Sequence, residues 1–205
     1  NLEGITLKIV LCIAFTWSLF QLYVASAIPF FLSEQTGLKL VFNNQETRQI
    51  HLAFALCLAM LAFPINRYAA KNKIPVYDFV LAGLGAFVCI YLLINKSSIA
   101  DRAGLPTPMD LLVSATGLLL LAIAVYRSLG LPLVVVASVF VAYVFFGDSP
   151  NLPEVVQWKG ASLGKALWHY WMQTECVFGV ALGVAASMIF LFVLFGALLE
   201  KAGAG

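Results

Sequence analysis

The chain has 205 residues, 62% of them hydrophobic and only 11% charged, with 12 basic against 10 acidic side chains for a formal net charge of +2. A soluble domain covers its surface with about a quarter charged residues. At a mean hydropathy of +0.95 this chain has too few for that and is expected to lie in a membrane. The charge balance also argues against a nucleic-acid-binding surface, because the tightest cation cluster is only Arg67, Lys71 and Lys73.

The first apolar run, 9–32, is long enough to span a bilayer and has Gln21 as its only strongly polar residue. It contains Trp17 and Tyr23, and Pro29 is expected near its end, where the helix is about to stop. The run is too long, and lacks the small-residue cleavage site, for a signal peptide. A polar stretch follows over 33–49, with Glu34, Lys39, Asn43, Asn44, Glu46 and Arg48. A short second span, 50–65, is closed by Pro64 and must stand upright or recruit its flanks.

The third span is expected over 76–95, with Asp78 in its first turn, where a carboxylate meets the positive end of the helix dipole. A loop over 96–109 carries Gly104, Pro106 and Pro108, and Asp110 is expected to cap a fourth span, 110–126. After a turn at 127–130, the fifth span, 131–147, is rich in Val and Phe.

The connection 148–175 opens on a turn cluster with Pro150 and Pro153 and continues as an amphipathic helix over 161–172. There Leu163, Leu167 and Trp171 share one face and Lys165 and His169 another, while Trp158, Trp168, Tyr170 and Trp171 suit the headgroup level of a membrane. The sixth span, 176–199, holds no charge. At about 1.5 Å per residue it is roughly 36 Å long, against a hydrocarbon core of about 30 Å. It stops on Glu200, Lys201 and the glycines at 203 and 205.

The expected fold class is therefore all-α: a polytopic membrane protein of about six transmembrane helices plus one interfacial amphipathic helix. Cation density in the short connection 66–75 puts the N-terminus in the cytoplasm.

Candidate chemistry is sparse. Asp78, Asp110 and Glu175 all fall at expected helix starts, where capping and dipole effects account for them. His51 and His169 are isolated, and Cys12, Cys57, Cys89 and Cys176 show no CxxC spacing and read as small hydrophobes. Gly179, Gly183 and Ser187 form a small-residue ridge suited to packing against another helix. HExxH, P-loop and GxSxG motifs are absent from the sequence. No catalytic, cofactor-binding or metal-ligating residue is assigned, and transport, anchoring or assembly is expected rather than catalysis.

The closing residues FLFVLFGALLEKAGAG (190–205), with Thr174, Glu175, Val177, Phe178, Gly179 and Val180 upstream, resemble part of the TRAP (tripartite ATP-independent periplasmic) transporters. The resemblance is to the fused type of permease, in which small and large membrane subunits form one polypeptide associated with a TAXI-type binding protein. Cys176 stands where that family carries Gly, and Ala185 and Ala186 are further departures. The run from Arg127 to Leu133 resembles the junction into the large subunit. On this resemblance, 1–127 is a four-span region like the small subunit and 128–205 holds the first two spans of the large one, whose remaining helices would follow Gly205.

The family's activity implies a secondary transporter in the bacterial inner membrane. A periplasmic substrate-binding protein delivers an organic anion, commonly a carboxylate, and a sodium gradient drives uptake. Sodium and substrate sites belong to parts of the large subunit beyond Gly205, so no ligand residue is carried over, no cofactor is expected in this chain, and Na+ is implied for the full-length transporter only. The implied partners are the binding protein, docking at the outer surface near 161–172, the remaining large-subunit helices, the bilayer and the anion, with no nucleic acid. The alternative is a structural or assembly membrane subunit without transport activity of its own.

Overall fold

The computed structural model describes residues 4–63, 74–150 and 152–203, and these are helical with no strand among them. The expected cation cluster Arg67, Lys71 and Lys73, the close of the second expected span at Pro64, and Gly205 lie outside the described residues. In chain order the helices are α1 (Gly4–Ala25), α2 (Ile28–Thr36), α3 (Asn44–Ala62), α4 (Val76–Ile94), α5 (Lys96–Asp101), α6 (Pro108–Leu129) and α7 (Leu131–Phe146). Then come α8 (Leu163–Leu167), which widens into a π turn at Trp168–Met172, and α9 (Val180–Lys201), which carries another at Ala185–Ile189.

Among the described residues four helices are long and apolar enough to cross a membrane: α1 over Thr6–Ala25, α4, α6 and α9. The two others expected to span fall short for different reasons. α3 begins with polar turns, and α7 is apolar but only 16 residues, about 24 Å, long.

Several boundaries differ from expectation, each for a local reason. The run 9–32 is not one helix: α1 ends at Ala25, and Pro29 sits in the first turn of α2. A proline in mid-helix would lose a hydrogen bond and clash with the carbonyl four residues back, but at a helix start its missing N–H costs nothing. α2 then stops on Gly37, whose φ of +67° is left-handed and whose N–H donates to Ser33 O at 3.0 Å.

α3 starts six residues before the expected 50 because Asn43 and Glu46 form a capping box. The Glu46 N–H donates to Asn43 Oδ1 at 2.8 Å, and the Asn43 N–H to Glu46 Oε2 at 2.9 Å. Asp110 is not the cap of α6; Thr107 is, with Asp110 as its capping-box partner. The residues Arg127–Leu129 are helical rather than a turn, so only Gly130, at φ +91°, separates α6 from α7.

α3 lies at the centre, touching α1, α4, α6 and α9. Leu56, Met60, Val88, Cys89, Val113 and Leu120 are fully or almost fully buried where α3, α4 and α6 meet. Two glycines set the spacing. A Cβ on Gly85 would come within 3.1 Å of Leu56 Cβ, and one on Gly117 would lie 2.4 Å from the ring of Trp171. Trp168 and Trp171 are therefore not at a free headgroup surface as expected. Both are buried, Trp171 against α6 and edge-on to Phe178 at 5.2 Å, while Leu163 of the expected apolar face is 63% exposed.

Ion pairs hold the ends of this three-helix unit. At one end Arg127 Nη1 donates to Asp78 Oδ1 at 2.7 Å and to the α3 carbonyls of Met60 and Phe63 at 3.1 and 3.4 Å, with both charged side chains shut off from solvent. Asp78 does sit in a first turn as expected, but its partner comes from the far end of α6. At the other end Asp110 accepts from Arg102 at 3.0 Å, Tyr91 at 2.8 Å and the Thr107 N–H at 3.0 Å. Beside it Glu46 pairs with Lys96 at 3.0 Å and Lys39 at 3.7 Å.

α7 has no buried residue and touches the bundle through α6. The segment after it folds back on its open end: Trp158 donates from its backbone to Gly147 O at 2.9 Å and from its indole to Tyr143 O at 3.1 Å, and the Ala161 N–H reaches Val144 O at 3.1 Å. Carbonyls left free by the last helical turn are thereby satisfied.

Removing one member of a buried ion pair leaves the other uncompensated, which costs about 3–5 kcal/mol. Asp78→Ala is expected to lose that much in unfolding measurements in detergent, and Asp78→Leu combined with Arg127→Met to lose less. Gly117→Ala is expected to destabilise by about 1–3 kcal/mol through overpacking, with Trp171→Leu in the same background restoring part of the loss. An unchanged unfolding midpoint for Gly117→Ala would contradict the contact.

Candidate functional site

The polar turns at the start of α3 bring four side chains into line. Asn44, Thr47, Arg48 and His51 recur at spacings of three and four, one face of a helix. That face looks toward α1 and α9, and the three helices, with Phe30 of α2 and Phe42, line a cleft of about 540 Å³. Its polar rim is Gln21, Asn44, Thr47, Arg48 and Ser187, and the rest of its lining is mostly apolar.

Gln21 and His51 are both buried and hydrogen-bonded to each other, amide to Nδ1. The imidazole is boxed by aromatic rings: Trp17 lies 4.9 Å away and Phe190 5.8 Å away, both edge-on. This pair links α1 to α3 in the apolar interior, where a polar group left alone would be costly. His51 is therefore not the isolated residue the sequence suggested. His169 is exposed and bonds only within its own turn, to Gln173 at 2.8 Å.

Arg48 joins α3 to the start of α9. Its Nη1 donates to Phe178 O at 3.0 Å, and its guanidinium occupies the space a Cβ on Gly183 would need, 2.5 Å from Nη2. No carboxylate among the described residues pairs with it. The expected small-residue ridge thus divides. Gly179 is closed against the carbonyl of Glu175 in its own preceding turn, Gly183 makes room for Arg48, and Ser187 stands exposed on the cleft with its hydroxyl bonded to Gly183 O at 2.8 Å. The π turn at Ala185–Ile189 widens α9 where it borders the cleft, a feature that recurs at functional sites in helices.

Glu175 does not cap α9, which begins only at Val180 behind Gly179 and has no side-chain cap. Of the cysteines expected to act as small hydrophobes, Cys89 is buried and Cys57 partly so, whereas Cys12 and Cys176 are exposed. Burial alone would raise the Glu46 carboxyl, which sits ahead of the apolar part of α3. The Asn43 amide and the Lys96 and Lys39 charges outweigh that and hold it below the usual carboxylate value.

No group of three or more His, Cys, Asp or Glu is gathered for a metal ion among the described residues. What the cleft offers is recognition: one guanidinium, amides and hydroxyls at the edge of an apolar hollow. The sequence shows Arg48 only as part of the polar stretch 33–49. The Asn43–Glu46 capping-box spacing was the available signal that helix, and hence a polar face, begins there. Comparison with protein-family models, curated proteins and solved structures finds no match to this chain.

Replacing both partners of a buried hydrogen bond costs far less than orphaning one, which takes about 1–3 kcal/mol. Gln21→Leu is accordingly expected to lower stability by that amount, and Gln21→Leu with His51→Leu to recover most of it in the same unfolding assay.

Proposed function

We propose that this chain is the membrane component, or the N-terminal part of it, of a sodium-driven secondary transporter that takes up an organic anion handed over by a periplasmic binding protein. The carrying observation is the closing stretch of α9, from Phe190 through Glu200 and Lys201 to Gly203, with its resemblance to the large membrane subunit of fused TRAP permeases. With no family match to draw on, the reading rests on those residues.

Three structural features support it. α7 and the second half of α9 turn large apolar side chains outward, among them Phe140, Phe146, Phe192, Val193 and Phe195. That is the surface needed for further helices or lipid. In this reading α3 and α7 also cross the bilayer, making six spans with the N-terminus in the cytoplasm of an inner membrane. Lys39, Lys96 and Arg102 would then lie outside, where Glu46 and Asp110 offset two of the three charges, in keeping with a less positive outer face. α8 would cover the outer end of the bundle by resting on α6, leaving Leu163, Lys165 and His169 exposed for the binding protein.

The organic anion and sodium are cargo in this reading, and no residue here is assigned to hold either. No catalytic step is proposed. The experiment is uptake into liposomes carrying the full-length protein. Accumulation is expected to require both an inward sodium gradient and the purified binding protein, and to fall several-fold when Lys165→Glu and Glu175→Lys are combined. Uptake indifferent to sodium and to the binding protein would overturn the proposal.

A further inference from the structure

The cleft described above does not end at Ser187. A second hollow of about 530 Å³ begins at the same residues, Ser187, Met188 and Leu191, and runs on beside Leu22 along α9 to Leu194, Phe195 and Leu198. From Ser187 to Leu198 it extends about 16 Å at 1.5 Å per residue. Apart from Ser187 its lining is entirely apolar. The two hollows together have a cationic polar head and an apolar tail.

From this we infer that the α1–α3–α9 cleft binds one anionic phospholipid, its phosphate held at Arg48 and an acyl chain laid along α9. Charge complementarity selects the head. Lys39 and Lys96, at the same end of α3, share the Glu46 carboxylate and do not line the cleft, whereas Arg48 does and has no carboxylate partner among the described residues. A guanidinium matches phosphate oxygens well. Arg48 lies in the polar opening turns of α3, within reach of the water-facing end of the bundle, and Asn44 and Thr47 flank it with further polar groups.

The tail decides between sources of anion. A soluble organic anion could use Arg48 but would leave the apolar groove empty, and an apolar helix filling the groove would leave Arg48 without an anion. The inference needs only that the chain sits in a bilayer with the groove beside Phe192 and Phe195 left to lipid rather than to a further helix, so it does not depend on transport activity.

The test uses the protein in nanodiscs of phosphatidylcholine, with or without phosphatidylglycerol, followed by native mass spectrometry and thermal unfolding. One retained phosphatidylglycerol and a raised unfolding midpoint are expected. Losing a charge-assisted contact weakens binding by about tenfold or more, so Arg48→Gln should lose the lipid and the shift, Arg48→Lys should keep part of both, and Lys159→Gln should keep all. Arg48 also holds Phe178 O, so a second variant guards against misfolding: Ser187→Phe, at an exposed position, should plug the junction and abolish retention with the fold intact. Equal retention by Arg48→Gln and Ser187→Phe overturns the inference. So does a midpoint that rises as much with inorganic phosphate, which would indicate a soluble-anion site. A Ser187→Cys side chain that crosslinks to a second chain in both lipids would assign the groove to a protein partner and overturn it as well.

Discussion

The contact between Arg127 and Asp78 constrains this bundle more than any other. Two opposite charges shut away from water are tolerable only together, and this pair draws on three helices at once. Asp78 belongs to the first turn of α4, Arg127 to the last turn of α6, and the carbonyls of Met60 and Phe63 to the end of α3. The arrangement is answered at the opposite end by Asp110 with Arg102 and Tyr91, and by Glu46 with Lys96. Apolar side chains fill the length between. Among helices in lipid, hydrophobicity gives little reason for one neighbour over another, and close approach and polar contacts decide. Gly85, Gly117 and the two polar ends serve those purposes here.

The rest of the chain is arranged around that unit with decreasing intimacy. α8 and its π turn are tied in by Trp171 over Gly117. α1 and α9 meet α3 mainly through Gln21, His51, Arg48 and their aromatic surroundings. α7 contributes no buried residue at all. The cleft lies where the tightly held unit meets the loosely held helices, and its polar groups come chiefly from the former.

How much of this could be read from the sequence depends on the range of the interaction. The extent of α4, apart from Asp78 in its first turn, and of α7 follows from long apolar runs. Helix ends turn on local chemistry: Pro29 marks a start rather than a stop, and capping boxes sit at Asn43 and Thr107. Tertiary facts were out of reach. Asp78 and Arg127 are 49 residues apart and Arg48 and Phe178 are 130 apart, and no spacing rule connects them. Trp168 and Trp171 have the composition of a membrane-interface belt, yet both are buried, Trp171 over the bare surface of Gly117. The Gly183 position shows the same ambiguity: a small residue promised a neighbouring helix, and a guanidinium took the space.

Gly130 gives the architecture a mechanical character. One residue, in a backbone conformation that suits glycine, joins α6 to α7, so the connection has no slack to absorb movement. α7, whose side chains all remain at least partly exposed, is fixed to the bundle three residues from Arg127. A sideways push on its far end would be felt as torque at the point where α3, α4 and α6 are fastened together.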